Sequence, residues 1–433
     1  MEKKFELTQK RVLPTTVLSA GKCLQIIHRM LAYINKDLAS HCDKTVYFSL
    51  LLAKESGFDK RFSIVNLLLI ALFHSVGFFR FNANDTNFNY FSKDESEQNY
   101  IFARYFLNYM TPVSEDSVSM VYFNQDYNKK LMSVIPQIEY TSIVQIASLV
   151  SDFYNKNGKI PKNLTKITSI KLNPSYVKLF SELDSKIDFQ SVFASDDYLK
   201  EIDDFVSRIT LDAKDTLKLL KLLVYVLDFK STSTVTHTIN TACYSYSIGL
   251  RFGLDEGEIN KLFISALLHD VGKVAIPVNI LESPNKLNSA DMEIMKTHVD
   301  YTKKILEKIV DDDICKIACH HHEKLNGSGY PLGLTEKDFS LSDRILTVSD
   351  ILSALADSRS YKERFSMDEV FQIIEKMVEN GELDSSITQK CFEDFGNIKI
   401  DCEIPQMLLI SDIAKVTTKF VEYQTSLDKE QLL

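Results

Sequence analysis

The stretch LFISALLHDVGKVAIP at residues 262–277 decides the fold of this chain. Its apolar first part has the spacing of a helix that enters a core, and this helix ends on the polar pair His269-Asp270. A second stretch, LLLIALFHSVG at 67–77, has the same order: an apolar helix, a histidine, a small or acidic residue, and then Val-Gly. The chain therefore contains an internal repeat.

The repeat extends beyond these two stretches. His41 precedes His74 at nearly the spacing at which His237 precedes His269. Two more pairs of segments match in the same order, namely 99–107 with 298–306 and 143–150 with 344–351. We infer two copies of one helical domain joined by a connector. The predicted bounds are 1–195 for the first copy, 196–230 for a helical connector and 231–433 for the second copy.

Helical periodicity is found along almost the whole chain. It predicts helices at 215–229, 258–268, 341–356 and 366–380. Ser366 followed by Glu369 predicts a capping box at the start of the last of these. The chain holds only 13 Gly and 9 Pro, and it shows no convincing alternation typical of strands. These features predict an all-α protein.

Composition narrows the class of function. The net charge of −9 argues against a protein that coats DNA or RNA, because phosphate binding needs a basic field. The seven Cys are scattered, which favours reduced thiols.

The first 17 residues lack the apolar core of a signal peptide, and the most apolar stretch, 62–79, contains Asn66, His74 and Gly77. We expect a cytoplasmic protein without a membrane partner, and the sequence leaves a homodimer open.

Ligand-type side chains are concentrated in the second copy. Six of the nine His fall there. Five of these six, together with two Asp, give one ordered set: His237, His269, Asp270, His298, His321, His322 and Asp350. Imidazole and carboxylate groups are ligands of iron, manganese or zinc at open hydrolytic sites, and the absence of thiolates argues against structural zinc. A carboxylate can bridge two metals, which then polarise a phosphate and activate water. His320 fits no obvious role and is interpreted as a bystander. The residues alone indicate a metal-dependent hydrolase.

Longer motifs resemble a known family. HDVGKVAIP at 269–277, NILESPNKL at 279–287, HHEKLNGSGYP at 321–331 and DILSALADSRSYK at 350–362 resemble the HD-GYP branch of the HD-domain phosphohydrolases. The resemblance covers roughly 230–395. It implies a helical domain with two or three bound metals, usually iron, that hydrolyses cyclic di-GMP.

The resemblance also implies roles for individual residues. The seven residues named above would be the metal ligands, and Asp270 and Lys273 would be catalytic, with Lys273 contacting the phosphate. Tyr330 would pack near the nucleotide, and Arg359 and Lys362 would hold phosphate. Family members with three metals carry a Glu where this chain has Ser233. We therefore expect two divalent metals per chain, iron first and manganese second.

Two further departures concern the tuning of the site. Asn326 and Ser353 stand where the family often has Asp. The first copy has lost most of the ligand set, since only His41 and His74 persist. At the matching positions, Ser75 stands in place of Asp270, Leu149 in place of Asp350 and Asn99 in place of His298. We expect the first copy to be a degenerate domain without a metal site, either purely structural or retaining a ligand-sensing pocket.

Three functional hypotheses follow. The leading one is a phosphodiesterase that opens cyclic di-GMP to linear pGpG, with GMP as an open second product. The second is the same chemistry on another cyclic dinucleotide, such as cyclic GMP-AMP. The third is a receptor that binds cyclic di-GMP without cleaving it, and the intact ligand set argues against it.

Overall fold

A computed structural model describes residues 18–60, 62–81, 93–113, 116–230, 234–356 and 365–431. In these ranges the chain forms helices and turns, and its only β-type pairing is the isolated bridge between Asn326 and Thr335. The predicted all-α class is confirmed. The chain divides into two compact units. Among the described residues, one unit, here called the C-terminal unit, comprises 18–30 and 220–411, and the other, the N-terminal unit, comprises 31–219 and 412–431.

Both units are built from helices in chain order. The helices of the first half are α1 Ala20–Ile34, α2 Lys36–Ser56, α3 Ile64–Phe73, α4 Val76–Phe81, α5 Lys93–Met110, α6 Lys129–Val134, α7 Ile138–Asn157, α8 Pro174–Asp184, α9 Phe189–Ala194, α10 Asp197–Ser207 and α11 Ala213–Leu227. Those of the second half are α12 Thr234–Arg251, α13 Glu256–Leu268, α14 Val278–Leu281, α15 Ser289–Lys296, α16 His298–Leu306, α17 Asp312–Cys319, α18 Leu341–Ala356, α19 Met367–Glu379 and α20 Ser385–Gln431. The last helix is kinked at Asp394, whose φ is −118°.

The local signals in the sequence explain where these helices begin. The side chain of Ser366 accepts from the backbone N–H of Glu369, and the Glu369 carboxylate accepts in return, so the predicted capping box is present. A second capping box, formed by Asp255 and Glu258, opens α13. The predicted helix at 341–356 coincides with α18.

In the C-terminal unit, α12 packs against both α13 and α18. Helix α13 buries its apolar residues from Ile259 to Leu268 and ends at His269, which is itself fully buried. Because α12, α13 and α18 each carry a residue of the predicted ligand set near their contacts, the core of this unit positions the site.

In the N-terminal unit, α2 packs against α3 and α7 in the corresponding way. Its most apolar stretch, Ile64–Phe81, is the one segment in the described part of the chain with the length and composition to cross a membrane. That stretch is divided into α3 and α4, and 72% of the window is buried inside the protein. Such burial is typical of a core helix.

The predicted bounds of the two copies differ from the compact units. Residues 18–30 pack with the C-terminal unit, and the described residues after Ser411 pack with the N-terminal unit. The physical reason is that helices α1, α11 and α20 each run across a unit boundary, which a linear repeat in the sequence does not reveal.

Candidate dinuclear metal centre

Three histidines are oriented by the backbone of their own chain segment. The Nδ1 atoms of His269, His298 and His321 lie 2.6, 2.7 and 2.7 Å from the backbone carbonyl three residues earlier. A carbonyl only accepts, so each Nδ1–H donates to it, and Nε2 is the ring nitrogen that remains to bind a metal. This is the arrangement by which proteins select the metal-binding tautomer of histidine.

Asp270 lies between two groups of histidines. Its Oδ1 is 3.5 Å from Nε2 of His298 and 3.7 Å from Nε2 of His321. Its Oδ2 is 3.2 Å from Nε2 of His269 and 3.8 Å from Nε2 of His237. Each carboxylate oxygen therefore faces a different pair of imidazoles, which is the geometry of a carboxylate that bridges two metals.

Asp350, on α18, closes the site from the opposite side. Its Oδ1 lies 2.9 Å from Nε2 of His237 and 3.5 Å from Nε2 of His269, whereas its Oδ2 lies 3.9 Å from Nδ1 of His322. The seven residues predicted as ligands are thus brought together around one point.

The side chains fit two metal ions. Ligand atoms of His237, His269 and Asp270 lie within 4.8 Å of one another, and so do those of His298, His321 and His322. Two buried atoms of this set, Nε2 of His269 and Oδ1 of Asp270, have no hydrogen-bond partner. Buried polar atoms without a partner are costly, and a metal at each group would satisfy them.

Electrostatics separate the histidines into two kinds. Burial lowers the pKa of His298 to about 4 and that of His322 to about 3, and it also lowers the pKa of His321, so these imidazoles stay neutral. Burial also acts to lower the pKa of His269, but the charges of Asp270 and Asp350 outweigh it and raise that pKa to about 10. A metal would have to displace the proton on His269.

The turn after His269-Asp270 depends on a glycine and a threonine. Val271–Ala275 form a 3-10 turn that packs on α16. A Cβ at Gly272 would lie 2.0 Å from the backbone oxygen of His298, so only glycine permits this approach. Thr302 accepts from the backbone N–H of Gly272 at 3.0 Å and donates to the carbonyl of His269 at 3.0 Å. Sequence reasoning missed Thr302, because its only signal is a polar residue on the buried face of a helix.

Two predicted substrate-side residues lie at this centre. Nζ of Lys273 is 2.5 Å from Oδ2 of Asp270 and is partly exposed. The ring of Tyr330 lies 4.8 Å from the ring of His322, and burial together with Asp270 and Asp350 raises the pKa of the Tyr330 hydroxyl. Arg359, Lys362 and Ser233 lie outside the described residues.

The loop that carries Tyr330 is held by a buried carboxylate. Glu323 accepts from the backbone N–H of Leu332 at 2.6 Å and from that of Leu334 at 2.9 Å. A Cβ at Gly329 would lie 2.4 Å from the Cα of Glu323, so the loop can fold back only with glycine there. Glu323 has no assigned role in the sequence interpretation, although a charged residue inside a motif next to two ligands was the available signal.

The remaining predicted positions have structural partners. His320 Nδ1 lies 3.1 Å from Asp343 Oδ1, which fits its interpretation as a bystander. Asn326 shapes its loop by accepting from the N–H of Ser328 at 3.0 Å. Ser353 Oγ lies 3.0 Å from Nδ1 of His237, so this departure from the family pattern contacts a predicted ligand directly.

The N-terminal unit has a different cluster at the matching positions. Nε2 of His41 lies 3.2 Å from Nε2 of His74, and Oγ of Ser148 lies 3.2 Å from both. Burial lowers the pKa of His74 to about 4 and also lowers that of His41. The imidazoles bond to each other and to a hydroxyl, and Leu149 is buried where the repeat alignment places the final carboxylate.

Comparison with known proteins agrees with the geometry of the C-terminal unit. The HD domain family matches residues 222–387. This segment is similar to the HD domain family. The resemblance to the HD-GYP branch is thereby confirmed for this part of the chain. The match covers the HD domain alone, so the first half as a degenerate copy stays a prediction.

Curated relatives match less than half of the chain. The chain is 32% identical over 178 residues to 3'3'-cGAMP-specific phosphodiesterase 1 of Vibrio cholerae, covering 41% of each chain. It is 30% identical over 186 residues to a cyclic di-GMP phosphodiesterase of Thermotoga maritima, covering 42% of this chain and 48% of the relative. The chain thus spans less than half the length of these relatives.

One solved structure shares the fold over most of the chain. It is titled as a cyclic GMP-AMP-specific phosphodiesterase of V. cholerae, V-cGAP3, and it aligns with a TM-score of 0.52 over 91% of this chain and 98% of its own. The identity is 16%, so the likeness concerns the fold. It extends well beyond the HD domain at residues 222–387.

Proposed function

We propose that this protein is a metal-dependent phosphodiesterase that hydrolyses cyclic di-GMP to linear pGpG, with GMP as a further product. The observation that carries the proposal is the position of Asp270, whose two oxygens face two separate groups of histidines. Two metal ions bound there would polarise a phosphodiester and activate water between them. A protein that only bound the nucleotide would have no use for this arrangement.

The chain's own residues have distinct roles in this reaction. His269, His298 and His321 would hold the metals through Nε2, because the Nδ1–H of each donates to a backbone carbonyl and fixes the orientation of the ring. Lys273 lies against Asp270, where its ammonium neutralises negative charge on the phosphate oxygens in the transition state. Tyr330 packs beside the nucleotide, and Arg359 and Lys362 hold phosphate. The metals are two divalent ions, iron first and manganese second.

Cyclic GMP-AMP is the second candidate substrate. The relatives from V. cholerae that match at 32–36% identity are named as 3'3'-cGAMP-specific phosphodiesterases. The described contacts involve groups that would bind phosphate or metal. Both cyclic dinucleotides contain the same phosphodiesters, so these contacts do not discriminate between them.

We further propose that the first half is a degenerate copy of the HD fold. In support, Gly77 approaches the backbone of Asn99 as Gly272 approaches that of His298, with Cβ distances of 2.6 and 2.0 Å. The Nδ1 of His74 also lies 2.7 Å from a carbonyl three residues earlier, as in His269. The copy is proposed to be structural, and the protein to act in the cytoplasm.

The function is tested by purification without oxygen, metal analysis and chromatography of products. Protein reconstituted with iron or manganese is incubated with cyclic di-GMP and, separately, with cyclic GMP-AMP at equal concentrations. Formation of pGpG with the higher kcat/KM on cyclic di-GMP is expected. A higher kcat/KM on cyclic GMP-AMP would favour the second candidate, and binding without turnover of either would favour a receptor.

A further inference from the structure

A lysine that carries no assigned role lies next to the metal centre. Lys296 is the last residue of α15, two positions before the ligand His298. Its Nζ lies 5.5 Å from the centroid of the Tyr330 ring, within the range of a cation–π contact. The Tyr330 ring in turn lies 4.8 Å from the His322 ring at an interplanar angle of 33°. The ammonium is therefore one aromatic ring away from a ligand of the centre.

The charge of Lys296 is available to a ligand. Among the described residues it forms an ion pair with Glu293, at 2.6 Å, and the Glu293 side chain is 71% exposed. Exposed ion pairs of this kind contribute little, because water screens both charges. By contrast, Lys273 is held at 2.5 Å by the buried carboxylate of Asp270. Lys296 is thus the more mobile of these two cations.

The proposed substrate has a use for a cation in addition to Lys273 and to the proposed phosphate contacts Arg359 and Lys362. A cyclic dinucleotide contains two phosphodiesters, each with one negative charge, and only one of them can occupy the dinuclear centre. The other must lie to one side of it. We propose that Lys296, which lies over the ring of Tyr330, binds this second phosphodiester. In this arrangement the Tyr330 ring separates the second phosphodiester from the metals. This inference rests on the proposed function and deepens it.

The experiment compares steady-state constants for cyclic di-GMP in the full-length, metal-loaded protein. Lys296→Gln is expected to raise KM about tenfold to a hundredfold, the effect of losing a charge-assisted bond, while kcat changes less than about threefold. Metal content should equal that of the wild type. Lys296→Arg should restore most of the lost affinity. An unchanged KM in Lys296→Gln, or loss of metal, would overturn the inference.

Two variants separate substrate binding from structure. Glu293→Gln removes the ion pair and keeps the ammonium, so KM should stay the same or fall. If Glu293→Gln reproduces the rise in KM, Lys296 acts through the ion pair and the inference is wrong. Lys286→Gln removes an exposed lysine elsewhere in the same unit and should leave KM unchanged.

A substrate with one phosphodiester gives the sharpest contrast. Bis(p-nitrophenyl) phosphate has no second phosphodiester, so Lys296→Gln should hydrolyse it with wild-type KM. An equal rise in KM for both substrates would contradict the assignment to the second phosphate. If the wild type neither binds nor cleaves a cyclic dinucleotide, the proposed function and this inference both fail. Cleavage with an unchanged KM in Lys296→Gln rejects the inference alone.

Discussion

Oγ of Ser353 lies 3.0 Å from Nδ1 of His237 and 3.2 Å from the carbonyl oxygen of the same residue. The hydroxyl donates to that carbonyl and accepts from Nδ1–H. The other ring nitrogen, Nε2, faces Oδ1 of Asp350 at 2.9 Å, so the imidazole is held with Nε2 toward the centre. A serine thus performs on His237 the orienting role that backbone carbonyls perform on His269, His298 and His321.

Removing this hydroxyl should weaken the metal centre. Ser353→Ala is expected to lower metal affinity by roughly tenfold to a hundredfold, the usual effect of losing a partner that orients a ligand. Competition with a chelator measures it. Ser349→Ala is the matched control, because Ser349 lies on the same helix and its buried Oγ has no hydrogen-bond partner. Equal affinities in the two variants would show that Ser353 does not orient His237.

Asp270→Ala should abolish turnover and reduce metal content from about two ions per chain. The reason is that both groups of histidines share this carboxylate, so its loss leaves each metal with fewer ligands and less compensating charge. Metal analysis after desalting and product chromatography measure the two effects. Asp300→Asn, an exposed carboxylate on α16, serves as the control. Full metal content in Asp270→Ala would rule out a bridging role, and a third tightly bound metal in the wild type would contradict the expected two.

Metal uptake by the metal-free protein should release a proton. Because the pKa of His269 is raised from 6.5 to about 10, this residue is protonated near neutral pH and must be deprotonated before it binds a metal. The raised pKa also means that the proton stabilises the metal-free fold fully below pH 6.5 and that this contribution is lost as the pH rises through about 10. Calorimetric titration with the metal, in buffers of different ionisation enthalpy, measures the number of protons released. The wild type should release about one proton more than His269→Gln. An identical count would contradict the prediction.

The two halves can be compared at one matched position. His269→Gln should lose metal and activity, because a ligand is removed. His74→Gln should keep wild-type metal content, since His74 bonds to His41 and Ser148 and lies in a cluster without a carboxylate bridge. Metal analysis of both variants decides this. A fall in metal content in His74→Gln, or metal found between His41 and His74, would contradict the prediction.

Arg29 should stabilise the C-terminal unit from a distant part of the chain. Its Nη1 donates to the carbonyls of Lys304, Ile305 and Glu307 at 3.0–3.1 Å, which lie at the end of α16. The last carbonyls of a helix lack hydrogen-bond donors within the helix, and this guanidinium supplies those donors. Arg29→Met should lower the free energy of unfolding by roughly 1.5–3 kcal/mol, measured by denaturant titration. Lys22→Met on the same helix is the control, and equal stabilities would show that the cap is dispensable.

Much of the fold could be predicted from periodicity and capping signals. The helix predicted at 341–356 and the capping box at Ser366 agree with the structure, because both depend on residues a few positions apart. The unit boundaries could not be predicted in this way. Helices α1, α11 and α20 each run from one compact unit into the other, and no local pattern marks the point of crossing.

The sequence by itself determined the helical class and the resemblance to the HD domain, and it predicted the ligand residues, because ligand chemistry resides in residue type and the motifs are continuous. Only the tertiary structure decided which oxygen of Asp270 faces which histidines, that Ser353 orients His237, and that Lys296 lies on Tyr330. Each of these relationships depends on side-chain positions a few ångströms apart, most of them between helices or loops distant in the chain. Packing of the buried helices sets such distances, and the order of residues alone does not encode them.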